Sequence, residues 1–131
     1  MIFTNDELAY LNSRPLGRIA TQQPNGTLQA SPVGFRFNAE TRTIDVHGFR
    51  MAESRKYRNV AENGRVAFVV DDLASTNPWR PRCVEIRGRA EATVVDGTPI
   101  IRITPERVIS FGIDESDTPA HQLRINARNA S

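Results

Sequence analysis

The spacing of apolar residues changes period twice along the chain. Over residues 4–14, Leu8, Tyr10 and Leu11 make an apolar stripe, Thr4 or Asn5 can cap it, and Asp6 and Glu7 fall in the first turn. That pattern predicts a short amphipathic helix, ended by Pro15 and Gly17. Alternation then replaces the helical period. Residues 16–23 and 28–37 read as strands joined by Pro24-Asn25-Gly26, because Asn-Gly accepts the positive φ of a tight hairpin. Val33, Phe35 and Phe37 alternate in the second strand, and Pro32 within it marks an edge, a bulge or a break in the ladder. A turn over 38–42 leads to a third strand, 43–48. The helical period returns over 51–63, where Tyr57, Val60 and Ala61 share a face and Gly64 is a stop. Residues 65–71 read as a buried strand and 73–82, with Pro78, Trp79 and Pro81, as a loop. Over 83–95, Glu85, Arg87, Arg89 and Glu91 alternate with Val84, Ile86, Gly88 and Ala90, giving a strand with one wet face. Past the Asp96-Gly97 turn, 100–104 and 107–112 form a last pair of strands, and the remainder has no pattern.

Six or seven strands at hairpin spacing, two short helices and no βαβ alternation predict a mainly β fold, an antiparallel barrel-like sheet. At 131 residues the chain is expected to form a single domain over 1–131. With 39% hydrophobic and 24% charged residues, it reads as globular rather than disordered. No apolar run approaches the ~20 residues of a membrane helix. The first residues are acidic where a secretory signal is basic. A cytoplasmic protein without a membrane partner is therefore expected. Cys83 is the only cysteine, which excludes a disulfide within the chain and a multi-cysteine metal site. Seventeen basic residues against fifteen acidic leave a net charge of only +2. Nucleic acid ranks last as a partner, because aromatics are 7% of the chain and mostly alternate as core residues.

The common catalytic signals are absent: no Gly-x-Gly-x-x-Gly, phosphate-binding loop, His-Glu-x-x-His or Gly-x-Ser-x-Gly occurs. Asp71 and Asp72 are strand neighbours that point to opposite faces, so they do not chelate together. Cys83 has no activating partner in the sequence, His121 lies in the unpatterned tail, and His47 at a strand end reads first as a structural or surface residue. The informative stretch holds Arg50, Arg55, Lys56, Arg58 and Arg65 against only Glu53 and Glu62. On the expected helix, Arg55, Lys56 and Asn59 flank the apolar face, and Ser54 with the first-turn amides adds donors. This arrangement suits a phosphate or a polycarboxylate. A solvated helix face crossed by Glu–Arg pairs is the alternative.

The run from Met51 to Asn63, followed by Arg65-Val66-Ala67-Phe68-Val69-Val70-Asp71-Asp72, resembles the pyridoxamine-phosphate-oxidase-like proteins. It is most similar to their coenzyme F420-dependent branch, the flavin/deazaflavin oxidoreductases of actinobacteria. Gly17-Arg18-Ile19-Ala20-Thr21, Asn25 to Val33, Pro78-Trp79-Arg80-Pro81-Arg82 with Val84 to Ala90, and Arg107 to Gly112 extend the likeness over nearly the whole chain, although Trp is common where Phe111 stands. The resemblance implies an FMN-binding-like split β-barrel that forms a homodimer with its cofactor at the interface. By position, Arg55, Lys56 and Asn59 would hold the phosphate, with Arg50 and Ser54 beside them. Gln29, Ala30, Ser31, Pro32 and Val33, together with His47 and Gly48, would line the ring. Pro78, Trp79 and Arg80 would come from the partner subunit.

The implied cofactor is F420, with FMN the alternative, and the chemistry is hydride transfer to an unsaturated small molecule such as an enone, imine or conjugated pyrrole. Such a reaction needs no protein nucleophile. Vitamin B6 oxidation is not expected, because the short tail differs from theirs. A protein on the same barrel that holds FMN, haem, a tetrapyrrole or F420 without turnover is the competing reading.

Overall fold

Thr4 opens the first helix, α1 (Asn5–Ser13), through a capping box: its hydroxyl accepts from the Glu7 amide at 3.1 Å, and Glu7 Oε1 accepts from the Thr4 amide at 2.8 Å. The structure, a computed structural model, describes residues 2–114 and 118–130. The strands are β1 (Leu16–Gln22), β2 (Leu28–Asn38), β3 (Thr43–His47), β4 (Arg65–Thr76), β5 (Trp79–Val95), β6 (Thr98–Phe111) and β7 (Asn126–Asn129), with α2 (Arg55–Asn63) between β3 and β4. All neighbours are antiparallel, in the order β3-β2-β1-β4-β5-β6-β7. β3 also pairs with β6 through Ile44–Ile103 and Val46–Ile101, which closes the first six strands into a barrel. Alternation fills its inside with Ile19, Val33, Phe35, Phe68, Val84, Ile86, Ile101 and Val108, all nearly inaccessible to solvent. The reading of the sequence as a mainly β, antiparallel fold of six or seven strands holds, with seven formed.

The structure departs from the expected boundaries in four places. Residues 73–82 are a paired arm, not a loop: Leu73 faces Pro81, Ser75 faces Arg80 and Thr76 faces Trp79 across a turn at the cis Asn77–Pro78 bond. Prolines punctuate sequence strongly, but here they sit at a hairpin tip and just inside the strand behind it. The two strands expected over 100–112 are one, β6. A register shift opposite Arg87 and Gly88 carries the ladder past Pro105. Gly88 permits that crossing, since a Cβ there would lie 2.2 Å from the Thr104 carbonyl oxygen. The helix expected over 51–63 is broken at Ser54, which is extended and caps α2, leaving a 3-10 turn at Met51–Glu53. Finally, β7 forms in the tail that shows no pattern. Arg128 fixes it by pairing with the buried Glu7 carboxylate and donating to the Ile2 carbonyl at 2.6 Å.

The base of the arm is clamped to α1. Asp72 accepts from Tyr10 Oη at 2.7 Å, Arg14 Nη1 at 2.9 Å and Arg82 Nε at 2.8 Å. The Arg82 guanidinium lies 5.4 Å from the Tyr10 ring centre. Burial, with the bond to Asp72, pushes the Tyr10 phenol above its ordinary range. Asp71 turns the other way, to Arg18 at 2.6 Å, as neighbouring strand positions must.

Candidate functional site

β3 is short, and its last residue, His47, lies opposite Gly34 of β2. From Leu28 to Val33, β2 is therefore laddered only to β1, and its other edge has no strand partner among the described residues. Such an edge presents backbone N–H and C=O groups to whatever lies beside it. Pro32 falls within this stretch, in keeping with the edge reading of that proline.

Polar side chains gather behind the edge. Gln29 and Ser31 share the inward face with Val33 and Phe35, whereas Ala30 and Pro32 are exposed on the outer face. Asn59 of α2, only 1% exposed, donates from Nδ2 to Thr21 Oγ1 at 3.1 Å and to Gln29 Oε1 at 3.5 Å. Two side-chain oxygens here, Asn59 Oδ1 and Ser31 Oγ, are buried without a protein partner. A buried polar atom without a hydrogen bond costs about 1–3 kcal/mol, so both are suited to a ligand's donors. Burial of Asn59 shifts the expected face of α2: Tyr57 and Val60 pack inward as expected, but Ala61 is exposed.

Gly48, Phe49 and Arg50 connect the end of β3 to the turn before α2. A Cβ placed on Gly34 would meet the His47 ring, 2.7 Å from Cε1, so the imidazole covers Gly34. Phe49 is 97% exposed. Arg50 adopts a left-handed backbone at φ 57° and pairs with Glu53 at 3.0 Å, while Met51 is buried and anchors the turn. Ser54 spends its hydroxyl on the cap, donating to the Met51 carbonyl at 2.6 Å and accepting from the Tyr57 amide at 3.3 Å. Arg55 and Arg58 are exposed and Lys56 is half-buried; none of the three has an ion-pair partner among the described residues. Of the alternative, a solvated face crossed by Glu–Arg pairs, only the Arg50–Glu53 pair before α2 forms among the described residues.

The outer face of the barrel carries a shallow apolar cavity of about 390 Å³ lined by Ala20, Ala30, Ala67 and Val69, with Arg18 and Glu85 at its rim. A groove of about 690 Å³ continues from Arg18 and Val69 to Leu73, Trp79 and Phe111. Pro78, Trp79 and Arg80 lie at the arm's tip. Val66 pairs with Thr21 and Thr76 with Trp79. At ~3.3 Å per residue, the tip is therefore roughly 30 Å from the Asn59–Thr21 bond. Within one chain the structure brings Asn59 to Gln29 and His47 to Gly34 beside the open edge, with Gly48, Arg50, Ser54, Arg55 and Lys56 on the connection and first turn that join His47 to Asn59; Pro78, Trp79 and Arg80 lie elsewhere. Thr21, Gly34 and Phe49 join the site without having been legible in the sequence: two look like ordinary strand residues, and Phe49 like a core residue.

Other groups are structural. Burial lifts the Cys83 thiol to about 11, helped by Asp71 and Glu85, so it is a protonated, unreactive group at neutral pH. No cluster of three or more His, Cys, Asp or Glu among the described residues could hold a metal ion. No helix among them is long and apolar enough to cross a membrane.

A sequence model of the family described as pyridoxamine 5'-phosphate oxidase matches residues 4–100. A 5a,11a-dehydrotetracycline/5a,11a-dehydrooxytetracycline reductase of Streptomyces rimosus is 39% identical over 138 aligned positions, covering 98% of this chain and 97% of the relative. Among solved structures, a conserved hypothetical protein of Mycobacterium tuberculosis superposes with a TM-score of 0.72 at 18% identity, covering 91% of each chain. A protein described as an F420 reductase superposes with a TM-score of 0.57 at 26% identity, covering 72% of this chain and 90% of that one.

Proposed function

This chain belongs to the pyridoxamine 5'-phosphate oxidase family, and from that premise we propose that it is an F420-dependent reductase. It passes a hydride from the reduced deazaflavin to a conjugated double bond of a small-molecule acceptor, and it works as a homodimer in the cytoplasm. The observation that carries the reading is the unpaired edge of β2 from Leu28 to Val33, set between His47 and α2 with its unmatched cations Arg55 and Lys56. The reductase of Streptomyces rimosus supports an oxidoreductase, and the F420 reductase supports a deazaflavin cofactor.

The residues present fit such a cofactor. The outward backbone groups of Leu28 and Ala30 and the carbonyl of Pro32, which alternate with the residues paired to β1, offer ladder positions to the planar amide edge of the ring, as a missing strand would take them. Ser31 Oγ and Asn59 Oδ1 accept donors from the ring or its polyol chain. Arg55 and Lys56, with the first-turn amides of α2, neutralise the phosphate. When bound and reduced, the deazaflavin supplies the hydride. The protein orients ring and acceptor and keeps water away. The cavity lined by Ala20, Ala30, Ala67 and Val69 is the surface a second copy covers. That copy brings its Pro78, Trp79 and Arg80, far from the site in their own chain, over the open edge.

Titration of the purified protein with F420 and with FMN, followed by cofactor fluorescence, tests the reading. Micromolar binding of F420 with weaker binding of FMN is the expected result. Preference for FMN assigns the flavin chemistry instead, and binding of neither overturns the site.

A further inference from the structure

We infer that His47 is the proton donor to the acceptor, a role that rests on the reductase reading above. Reduction of a conjugated double bond consumes a proton as well as a hydride, and a positioned side chain can deliver it. His47 is the last residue of β3 and stands where the unpaired edge of β2 begins. Its ring is held by contact rather than by hydrogen bonds. Three ring atoms, Cε1, Nδ1 and Nε2, lie 2.7, 3.2 and 3.5 Å from the point a Cβ on Gly34 would occupy, so only glycine leaves the imidazole that seat.

The residue is exposed, and among the described residues neither ring nitrogen meets a hydrogen-bond or ion-pair partner. The ring is thus placed at the site while both nitrogens stay open. The Ser31 hydroxyl, without a protein partner, is assigned above to the cofactor, and other hydroxyl and thiol groups nearby are committed elsewhere. Tyr57 Oη donates to the Thr93 carbonyl at 3.1 Å, Ser54 Oγ to the Met51 carbonyl, and Tyr10 Oη to Asp72. Cys83 lies on β5, paired with Asp71 and Phe111, away from the edge. Imidazole is also the side chain suited to giving and regaining a proton near neutral pH.

The step balances. The hydride, with its electron pair, goes to the β-carbon of the acceptor's conjugated bond, and the π pair moves onto the carbonyl as an enolate. A ring N–H of the His47 imidazolium gives its proton to the α-carbon. The donor is oxidised, the acceptor gains two hydrogens, and the neutral imidazole regains a proton from water.

The test uses the full chain with reduced F420 and 5a,11a-dehydrotetracycline as the acceptor probe. His47→Gln and His47→Ala are expected to lower kcat about 100-fold, far more than they change the Kd for F420. Added imidazole restores His47→Ala but not His47→Gln, whose amide fills the space. Gly34→Ala, which crowds the ring off its seat, lowers kcat with an unchanged Tm. A readout independent of turnover is the NMR signal of the His47 ring, which shifts on addition of oxidised F420 while that of His121 stays. The role is overturned if kcat stays within threefold of wild type in both His47 variants, if imidazole rescues neither, or if the His47 resonances do not move. Wild-type protein that binds F420 but reduces nothing overturns the reductase reading itself, and the proton-donor role falls with it.

Discussion

The Asn59 carboxamide nitrogen lies 3.1 Å from the Thr21 hydroxyl, and this bond fastens α2 to the strand beside the open edge of β2. The bond is buried and joins residues 38 apart in the chain. Asn59→Ala leaves the Thr21 hydroxyl unpaired inside the barrel. It should cost about 1–3 kcal/mol in urea unfolding, with F420 binding weakened in parallel. A loss below ~0.5 kcal/mol, the scale of a neutral surface change, shows that the bond does not hold the helix.

Lys56 tests the anion site more selectively. Its ammonium makes no ion pair among the described residues, so removing it should leave Tm unchanged. Lys56→Ala is expected to weaken cofactor binding by about 1–3 kcal/mol, the scale of a lost charge-assisted contact. Equal affinity of wild type and variant in a fluorescence titration rejects the phosphate position.

The outer alanines bear on assembly. Ala67 and Ala20 face each other at the centre of the shallow apolar cavity. Ala67→Glu places a charge where a second copy must desolvate it. Light scattering should then report a monomer in place of a dimer, with far-ultraviolet circular dichroism unchanged. A wild type that is already monomeric at micromolar concentration, or a variant that stays dimeric, argues against this face.

Acid should weaken the fold through two carboxylates. Burial alone would lift the proton affinity of Asp45, but hydrogen bonds from Arg102, Asn38 and Thr43 outweigh it and hold its carboxyl below the usual range. The Arg82 bond, opposed by burial and aided by Tyr10, does the same for Asp72. Both groups bind protons more readily unfolded than folded. Their contribution is complete above the unfolded value of about 3.9 and is lost as pH falls through the lower folded values. Asp45 meets Arg102 in two bonds of 3.0 and 3.1 Å with its side chain only 5% exposed. Asp45→Asn should therefore cost about 3 kcal/mol at pH 7 and flatten the acid limb of the stability curve. An acid limb of unchanged slope would falsify the assignment.

Two glycines with close neighbours should respond oppositely. At Gly88 the obstacle is the Thr104 backbone carbonyl at 2.2 Å, which cannot move without opening the β5–β6 ladder. At Gly34 it is the exposed His47 side chain, which can rotate away. Gly88→Ala is expected to destabilise by about 1–3 kcal/mol or to prevent folding, whereas Gly34→Ala leaves thermal unfolding within error of wild type. Equal losses would place the constraint at 34 in the backbone.

What could be read from sequence follows from how local each signal is. The alternation of Val33, Phe35 and Phe37, the Asn25-Gly26 turn and the Thr4 cap act within a few residues, and all form as expected. Pro78 and Pro81 suggested a loop because the cross-strand partners that keep the arm paired, Leu73 and Thr76, are themselves polar-flanked and exposed. β7 was silent because it is held by its ladder to β6 and by distant polar contacts such as Arg128 to Glu7, rather than by an apolar stripe. At the site, the cations of α2 were visible as composition. Their lack of carboxylate partners was not, nor was the Gly34 seat under His47, since both depend on what other strands place nearby. The burial of Asn59 in place of Ala61 is of the same kind: a helical wheel ranks residues by polarity, and here a polar residue faces inward to meet Thr21.

The unfinished edge of β2 also bears on the colloidal behaviour of the protein. A strand with free ladder groups is a template on which another chain can continue the sheet. Leu28, 75% exposed, makes this one attractive, while Pro32 blunts it by offering no N–H. On the proposed reading, a bound planar ligand takes the place of the missing strand and guards the edge. Occupancy and solubility are thereby tied together, and protein purified without its ligand should aggregate sooner on storage than the same protein kept loaded.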